Sequence, residues 1–263
     1  MCEEHTVYGM ASQDKQPIKS LETTMNIIDK LRERDGAGVT ELANDLGKSK
    51  SGIHHHLSML ERRGYVVNED GQYRVGLKFL ELGGYIRHKM EIHDITKPEV
   101  KKLAEDTEEL ANLLVEEHGY GVYLYRARGS QAVNLETYAG KRIHLHSTGL
   151  GKAILAHLPR ERVEEIIDRQ GLPKQTENTI SDRDALFEEL ESIRERGIAF
   201  DREEQFPGLR CVAKPITDND GNILAAISVA GPSSRISDER FNNTLPEKVQ
   251  EAANVIELNI TYS

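Results

Sequence analysis

Three short amphipathic segments, each closed by glycine, and then an Asp-Gly turn crowd into residues 18–76. Leu21, Met25, Ile28 and Leu31 recur at spacings of four, three and three, the period of a helix with one buried face. Ser20 stands where an N-cap would, with Thr23 and Thr24 close behind, and Asp35-Gly36-Ala37-Gly38 stops the run. Thr40 is expected to cap a second helix, TELANDLG, with Leu42, Ala43 and Leu46 apolar and Gly47 at its end. A third helix begins at Ser49 or Ser51, runs to Arg63 and meets Gly64; its Ile53, Leu57 and Leu60 sit at i, i+4, i+7 and should face inward. The apolar runs 65–67 and 73–75 flank NEDGQ, whose Asp70-Gly71 predicts a tight hairpin. Three helices with short joints and then a hairpin is the order of a winged helix-turn-helix. In that arrangement the third helix enters the DNA major groove and the hairpin reaches the backbone or minor groove.

Charge agrees with that placement. Residues 1–90 hold 13 Lys+Arg and 13 Asp+Glu, so residues 91–263, with 21 and 31, carry the whole net charge of −10. Within residues 48–63, Lys48, Lys50, Arg62 and Arg63 face only Glu61, a local +3. Such a patch on an acidic chain points to a polyanion, against the plainer reading of a solvated helix face. The triple histidine His54–His56 falls on the third helix. At about 100° per residue, His54 and His55 point outward and His56 flanks the buried face, so the three cannot share one metal, for which i, i+4 spacing is needed. The expected DNA contacts are Thr40, Lys48, Ser49, Lys50, Ser51, His54, His55, Arg62 and Arg63, with Tyr73 from the wing.

The rest of the chain divides around this unit. Residues 1–17 look like a flexible tail ending at Pro17. Residues 77–93 begin LKFLELGGYIRHKM, apolar enough to suggest a linker helix packed on a partner chain, as a reader of two-fold DNA requires; an ordinary buried helix is the alternative. Residues 94–263 are expected to give a helix over 98–117, strands at 121–127, 132–137 and 143–146, and a helix after Gly151 in GLGKAILAHL. Helices 161–169 and 183–196, a strand at 197–200, the strands CVAKPIT and ILAAISVAG joined by DNDGN, and a last helix over 247–258 complete an α+β, sensor-like domain. No apolar run approaches the roughly 20 residues of a spanning helix, and MCEEHTVYGM lacks the order of a signal peptide. Cys2 and Cys211 lie far apart, which suits a reducing cytoplasm. LGKA is not a phosphate loop, because His146 stands at its first glycine position and Ala153 replaces Ser/Thr; DNDG is not a calcium loop, because Ile216 stands at its first ligand position. Cys211 has no flanking pattern of a catalytic nucleophile, and no enzyme activity is expected.

Two longer stretches are more telling. GIAFDREEQFPGLRCVAKPI with AAISVAGPSSRI, within residues 197–236, and HLHSTGLGKAILA, residues 144–156, resemble the IclR family of transcriptional regulators, and the likeness extends over about 18–262. The resemblance implies a winged helix-turn-helix, a linker helix and a GAF-like effector-binding domain. It also implies dimers, often paired into tetramers, that act on double-stranded promoter DNA as repressor or activator. Carried over, the family's effector contacts fall on Gly149, Leu150, Asp201, Cys211 and Ser228, with Ala230 where relatives usually have a serine. Some relatives carry a metal here; His144, His146 and Cys211 could be invoked, but His144 and His146 lack an evident third ligand, so neither metal nor cofactor is assigned. The effector is expected to be a small organic acid. Its carboxylate would meet the amides at the start of the Gly149 helix, where Gly149 and Gly151 permit close approach, and its hydroxyls would meet Asp201 and Ser228 at the other end. The acidic composition also suits a halophilic archaeon, where salt weakens phosphate contacts. Two alternatives stay open: a domain that only oligomerises, and a metal or redox sensor.

Overall fold

The computed structural model describes residues 18–135 and 137–262, so the expected tail at 1–17 lies outside the described residues. The chain forms two compact units, one through Gly84 and one from Tyr85 onward.

In the first unit, α1 spans Lys19–Glu33, β1 Ala37–Gly38, α2 Val39–Leu46, α3 Lys50–Arg62, β2 Val66–Glu69 and β3 Gln72–Val75. On α1, Ile27 and Leu31 are buried while Leu21 and Met25 are exposed. The buried stripe thus runs through positions 24, 27, 28 and 31. That set has the same helical period as the expected one, and periodicity alone does not choose between them. Ser20 lies inside α1 behind Ile18, which occupies the N-cap without a side-chain bond. Nor does Thr40 cap α2: Gly38 holds that place, and the Glu41 carboxylate accepts its N–H at 2.7 Å. Gly47 closes α2 in the left-handed region, as a C′ glycine does.

Ser49 caps α3 by accepting the Gly52 N–H at 3.1 Å. β2 and β3 pair antiparallel around Asp70 and Gly71, with φ of 52° and 86°, the two left-handed residues that a type I′ hairpin requires. The segment expected only to stop α1 also supplies β1, a third strand that pairs Ala37 with Tyr73. Ile53, Leu57 and Leu60 join Ile27, Leu31, Leu42, Val66 and Tyr73 in one small core.

α4, Lys78–Lys89, has no buried residue, and the division between the units falls within it. The expected linker end at 93 falls inside α5, Glu91–Thr107, whose His93, Thr96 and Val100 are already buried. The helix expected over 98–117 is two elements. Glu108 turns left-handed with φ 59°, and β4 follows over Leu110–Glu117. Residues 110–115 are buried continuously, as on a strand covered on both faces, and such a short apolar run is open to either structure by period.

β5 Tyr120–Arg128, β6 Arg142–His144, β7 Ala199–Arg202, β8 Leu209–Thr217 and β9 Ile223–Pro232 complete an antiparallel sheet of order β6-β5-β4-β9-β8-β7. Of the strand expected over 132–137, the described residues 132–135 and 137 carry no ladder. α5 and α9, Leu245–Thr261, with the π turn Arg240–Thr244 before it, cover one face, where Val100, Leu113, Ile227, Val249 and Ile256 interlock. α6 Gly149–His157, α7 Arg160–Gln170 and α8 Arg183–Arg196 cover the other through Leu114, Ile154, Leu155, Leu190 and Ala213. No helix among the described residues is long and apolar enough to cross a membrane.

Candidate DNA interface and effector pocket

The outer face of α3 is polar and basic. At about 100° per residue, His54, Ser58, Ser51, Arg62 and His55 fall within an arc of roughly 100°, away from Ile53, Leu57 and Leu60, with Lys50 in the first turn at its edge. Lys48, Ser49, Lys50, Ser51, His54, His55, Arg62 and Arg63 are all exposed, and so is Thr40 in the first turn of α2. His56 does not join this face; its Nδ1 meets the Thr24 hydroxyl of α1 at 2.8 Å and ties the two helices together. Tyr73, expected at the DNA, is 4% exposed: strand alternation turns it into the core, leaving Arg74 on the outer side. Ser49 is already committed to the helix cap.

In the second unit, the α6 face of the sheet opens into a recess of about 380 Å³, counting its open mouth. Leu150, Asp201, Cys211 and Ser228 line it together, and Ala230 lies beside them. The sheet explains the convergence: Asp201 pairs with Cys211, and Cys211 with Ala230, so residues from three strands stand in one row. Gly149 stands behind the wall. A Cβ there would lie 3.5 Å from Cys211 Sγ and from the Asp201 backbone nitrogen. Asp201 is therefore beside the start of α6 rather than at the far end of the pocket. Gly151 does not face the pocket either, since a Cβ on it would fall 2.0 Å from the Leu145 carbonyl oxygen; close backbone packing requires that glycine. Residue chemistry alone did not single out Asn112, Tyr123, Thr148 or Gln205, which also line the recess.

Burial sets the protonation of this wall. It pushes the Cys211 thiol and the Tyr123 phenol upward, so both stay protonated near neutrality. Burial first, then the adjacent Glu204 charge, push Asp201 up to about 7, although its carboxylate accepts the Glu204 N–H at 2.7 Å.

A family model described as "Bacterial transcriptional regulator IclR C-terminal" matches residues 85–258, and one described as "IclR helix-turn-helix domain" matches residues 20–70. The chain belongs to the IclR family. It is 32% identical over 247 residues to the probable HTH-type transcriptional regulator ArcR of Halobacterium salinarum, covering 92% of this chain and 94% of that one. It is also similar to the crystal structure of the Thermotoga maritima IclR, with TM-score 0.76, 29% identity and coverage of 94% and 100%. The fold extends to an IclR homologue from Microbacterium hydrocarbonoxydans crystallised with 4-hydroxybenzoate, with TM-score 0.77, 22% identity and coverage of 93% and 100%. The protein is thus a DNA-binding transcriptional regulator of the IclR type, not an enzyme, with an N-terminal helix-turn-helix and a C-terminal α/β domain.

The residues weighed for a metal do not converge. Cys211 lines the recess, whereas His144 and His146, with ring centroids 5.8 Å apart, line a separate small cavity beneath α7. Among the described residues no group of three metal-ligating side chains forms.

The buried Asp201 carries a pH prediction. The unfolded chain releases this proton near an ordinary aspartate value of about 4, while the native chain holds it to about 7. Its contribution to stability is therefore full below about 4 and is lost as pH rises through about 7. Asp201→Asn should flatten the fall in stability across that window and be neutral or stabilising at pH 8, as read by denaturant unfolding. An unchanged pH slope would contradict the assignment.

Proposed function

We propose that this regulator is a homodimer, able to pair into tetramers, that releases or grips promoter DNA of catabolic or metabolic genes when a small organic acid enters the recess. It works in the cytoplasm, where such DNA is. Lys48, Lys50, Arg62 and Arg63 serve the phosphates, with Thr40 at the start of α2 and the Ser49 backbone beside them. Ser51, His54 and His55 read base edges from the N-terminal half of α3. The carrying observation for the sensor is that Leu150, Asp201, Cys211 and Ser228, far apart in sequence, line one recess. Protonated Tyr123 and Cys211 favour an oxyanion there. A fold relative was crystallised with 4-hydroxybenzoate, a hydroxylated acid, and that supports the reading. The net charge of −10 agrees with a protein built for concentrated salt, where base and shape readout must supplement charge.

The test is anisotropy on an operator fragment that the purified protein selects from genomic DNA. Lys50→Ala should weaken binding to every sequence and flatten the salt dependence by about one unit of slope, while His54→Ala should alter sequence preference. A panel of hydroxylated and keto acids should contain one that changes DNA affinity, with Ser228→Ala costing that acid roughly 1–3 kcal/mol. Salt curves that superimpose for wild type and Lys50→Ala would remove α3 as the reader. An acid that binds without changing DNA affinity would remove the recess as the switch.

A further inference from the structure

Arg126 on β5 is half-buried, and among the described residues no carboxylate pairs with it. Its Nε donates to Asn112 Oδ1 at 3.1 Å, another of its nitrogens donates to the Thr137 carbonyl, and its guanidinium lies 5.9 Å from the Tyr123 ring centroid. Asn112, Thr137 and Tyr123 all line the recess, so the cation backs directly onto its wall. Burying a guanidinium without a counter-charge is costly, and burial pushes Arg126 below its ordinary range.

The hydrogen bonds then fix a direction across the sheet. Arg126 pairs in register with Asn112, and Asn112 with Ser228, so the three stand in one cross-strand row. A guanidinium can only donate; Asn112 must therefore turn its oxygen to Arg126 and its amide to Ser228, which it reaches at 3.3 Å. The Ser228 oxygen accepts from Asn112, and its proton turns to the Cys211 sulfur or to an acceptor in the recess. Two further groups of the recess are biased the same way. Thr148 Oγ1 accepts the Gly151 N–H at 2.9 Å, and Gln205 Oε1 accepts the Ser147 hydroxyl at 2.5 Å, which leaves the Thr148 proton and the Gln205 amide as donors. The exception is Asp201, which stands in the neighbouring row with Cys211.

We propose that Arg126, acting through Asn112, is the positioning residue that makes this recess select an anion, so that the effector's carboxylate docks at the Ser228–Asn112 end and its hydroxyl at Asp201. The proposal rests on the recess being the effector site, and it places the acid group opposite Asp201 rather than on the first amides of α6.

The probes are matched pairs of acid and neutral amide: acetate with acetamide, and 4-hydroxybenzoate with 4-hydroxybenzamide. Affinity is read on the full chain by thermal shift and by calorimetry. Wild type should prefer each acid over its amide, and Arg126→Gln should reduce that preference roughly tenfold, the size of one lost charge-assisted hydrogen bond. Arg126→Lys keeps the charge and should keep the preference. Asn112→Asp is isosteric and gives Arg126 an internal counter-ion; it should lose the preference even if Arg126→Gln folds poorly. Acids and amides binding wild type alike, no acid binding at high millimolar concentration, or an undiminished preference in Asn112→Asp would each overturn the proposal. DNA affinity, followed in parallel, separates this from the effector reading: an amide that still alters operator binding would leave the switch intact and remove only the anion selection.

Discussion

Leu80→Asp should convert the protein to a monomer and weaken operator binding by about a hundredfold or more, the loss expected when two linked half-site contacts become independent. The reasoning starts from what α4 does not do within its own chain. None of its residues is buried: Leu80, Tyr85 and Ile86 are 69%, 63% and 59% exposed, and Leu77, just before the helix, is 80% exposed. So many large apolar side chains on one short helix need a covering surface, and covering each is worth about 1.5–3 kcal/mol. In a two-fold assembly the same helix from a second copy supplies that cover, and half-sites about 34 Å or a multiple apart then follow from the pitch of DNA. Aspartate at position 80 would leave a charge without a partner at the centre of this contact. The exposed side chain holds nothing within its own chain, so the unfolding transitions of the two units should stay where they are. Sedimentation velocity and anisotropy on a two-half-site fragment decide the matter. A wild-type protein that sediments as a monomer yet binds that fragment tightly, or a Leu80→Asp protein that stays dimeric, would refute the assignment.

The parts of this molecule that were legible in sequence are those whose cause is local. The stripe Ile53–Leu57–Leu60 and the Asp70-Gly71 hairpin depend on neighbours within a few residues and stand as the spacing predicts, and of the two serines left open for the start of α3 it is Ser49 that caps it. The outward placement of His54 and His55 follows from the same helix. Tyr73 was misplaced because its neighbour β1 pairs with β3 across more than thirty residues, and that pairing makes it part of a core. The pocket was legible in a different way. Asp201, Cys211 and Ser228 came with the family resemblance, and no spacing among them announces a site; only the ladder β7-β8-β9 does. Asn112 and Arg126 escaped both routes. The buried run 110–115 fits helix or strand by composition, and while it is read as helix the row Arg126–Asn112–Ser228 has no meaning. Gly151 was read as room for a ligand, whereas that room is taken by the Leu145 backbone.

Lys152→Ala should destabilise the C-terminal unit by about 3–5 kcal/mol and weaken effector binding with it, the effect of stranding one member of a buried ion pair. Lys152 lies on α6 and is 1% exposed; its Nζ donates to both Glu204 carboxylate oxygens, at 2.6 and 2.7 Å, with Glu189 at 3.6 Å. Removing the lysine leaves Glu204 charged and enclosed, with the Arg202 N–H at 3.3 Å as a remaining donor. The consequence reaches the recess through the backbone. The Glu204 N–H donates to Asp201, the Thr179 and Thr176 hydroxyls hold the Glu204 and Glu203 carbonyls at 2.6 and 2.7 Å, and the next residues, Gln205 and Phe206, line the pocket. The pair thus anchors the loop that carries part of the recess wall. The double variant Lys152→Met with Glu204→Gln removes both charges at similar volume and should recover most of the lost stability, because replacing a buried pair outright costs far less than breaking it. Denaturant unfolding of the full chain, with the winged-helix transition as internal reference, measures this. A loss below about 1 kcal/mol in Lys152→Ala, the size of an exposed pair, would show that water reaches Glu204 and that the pair does not hold the loop.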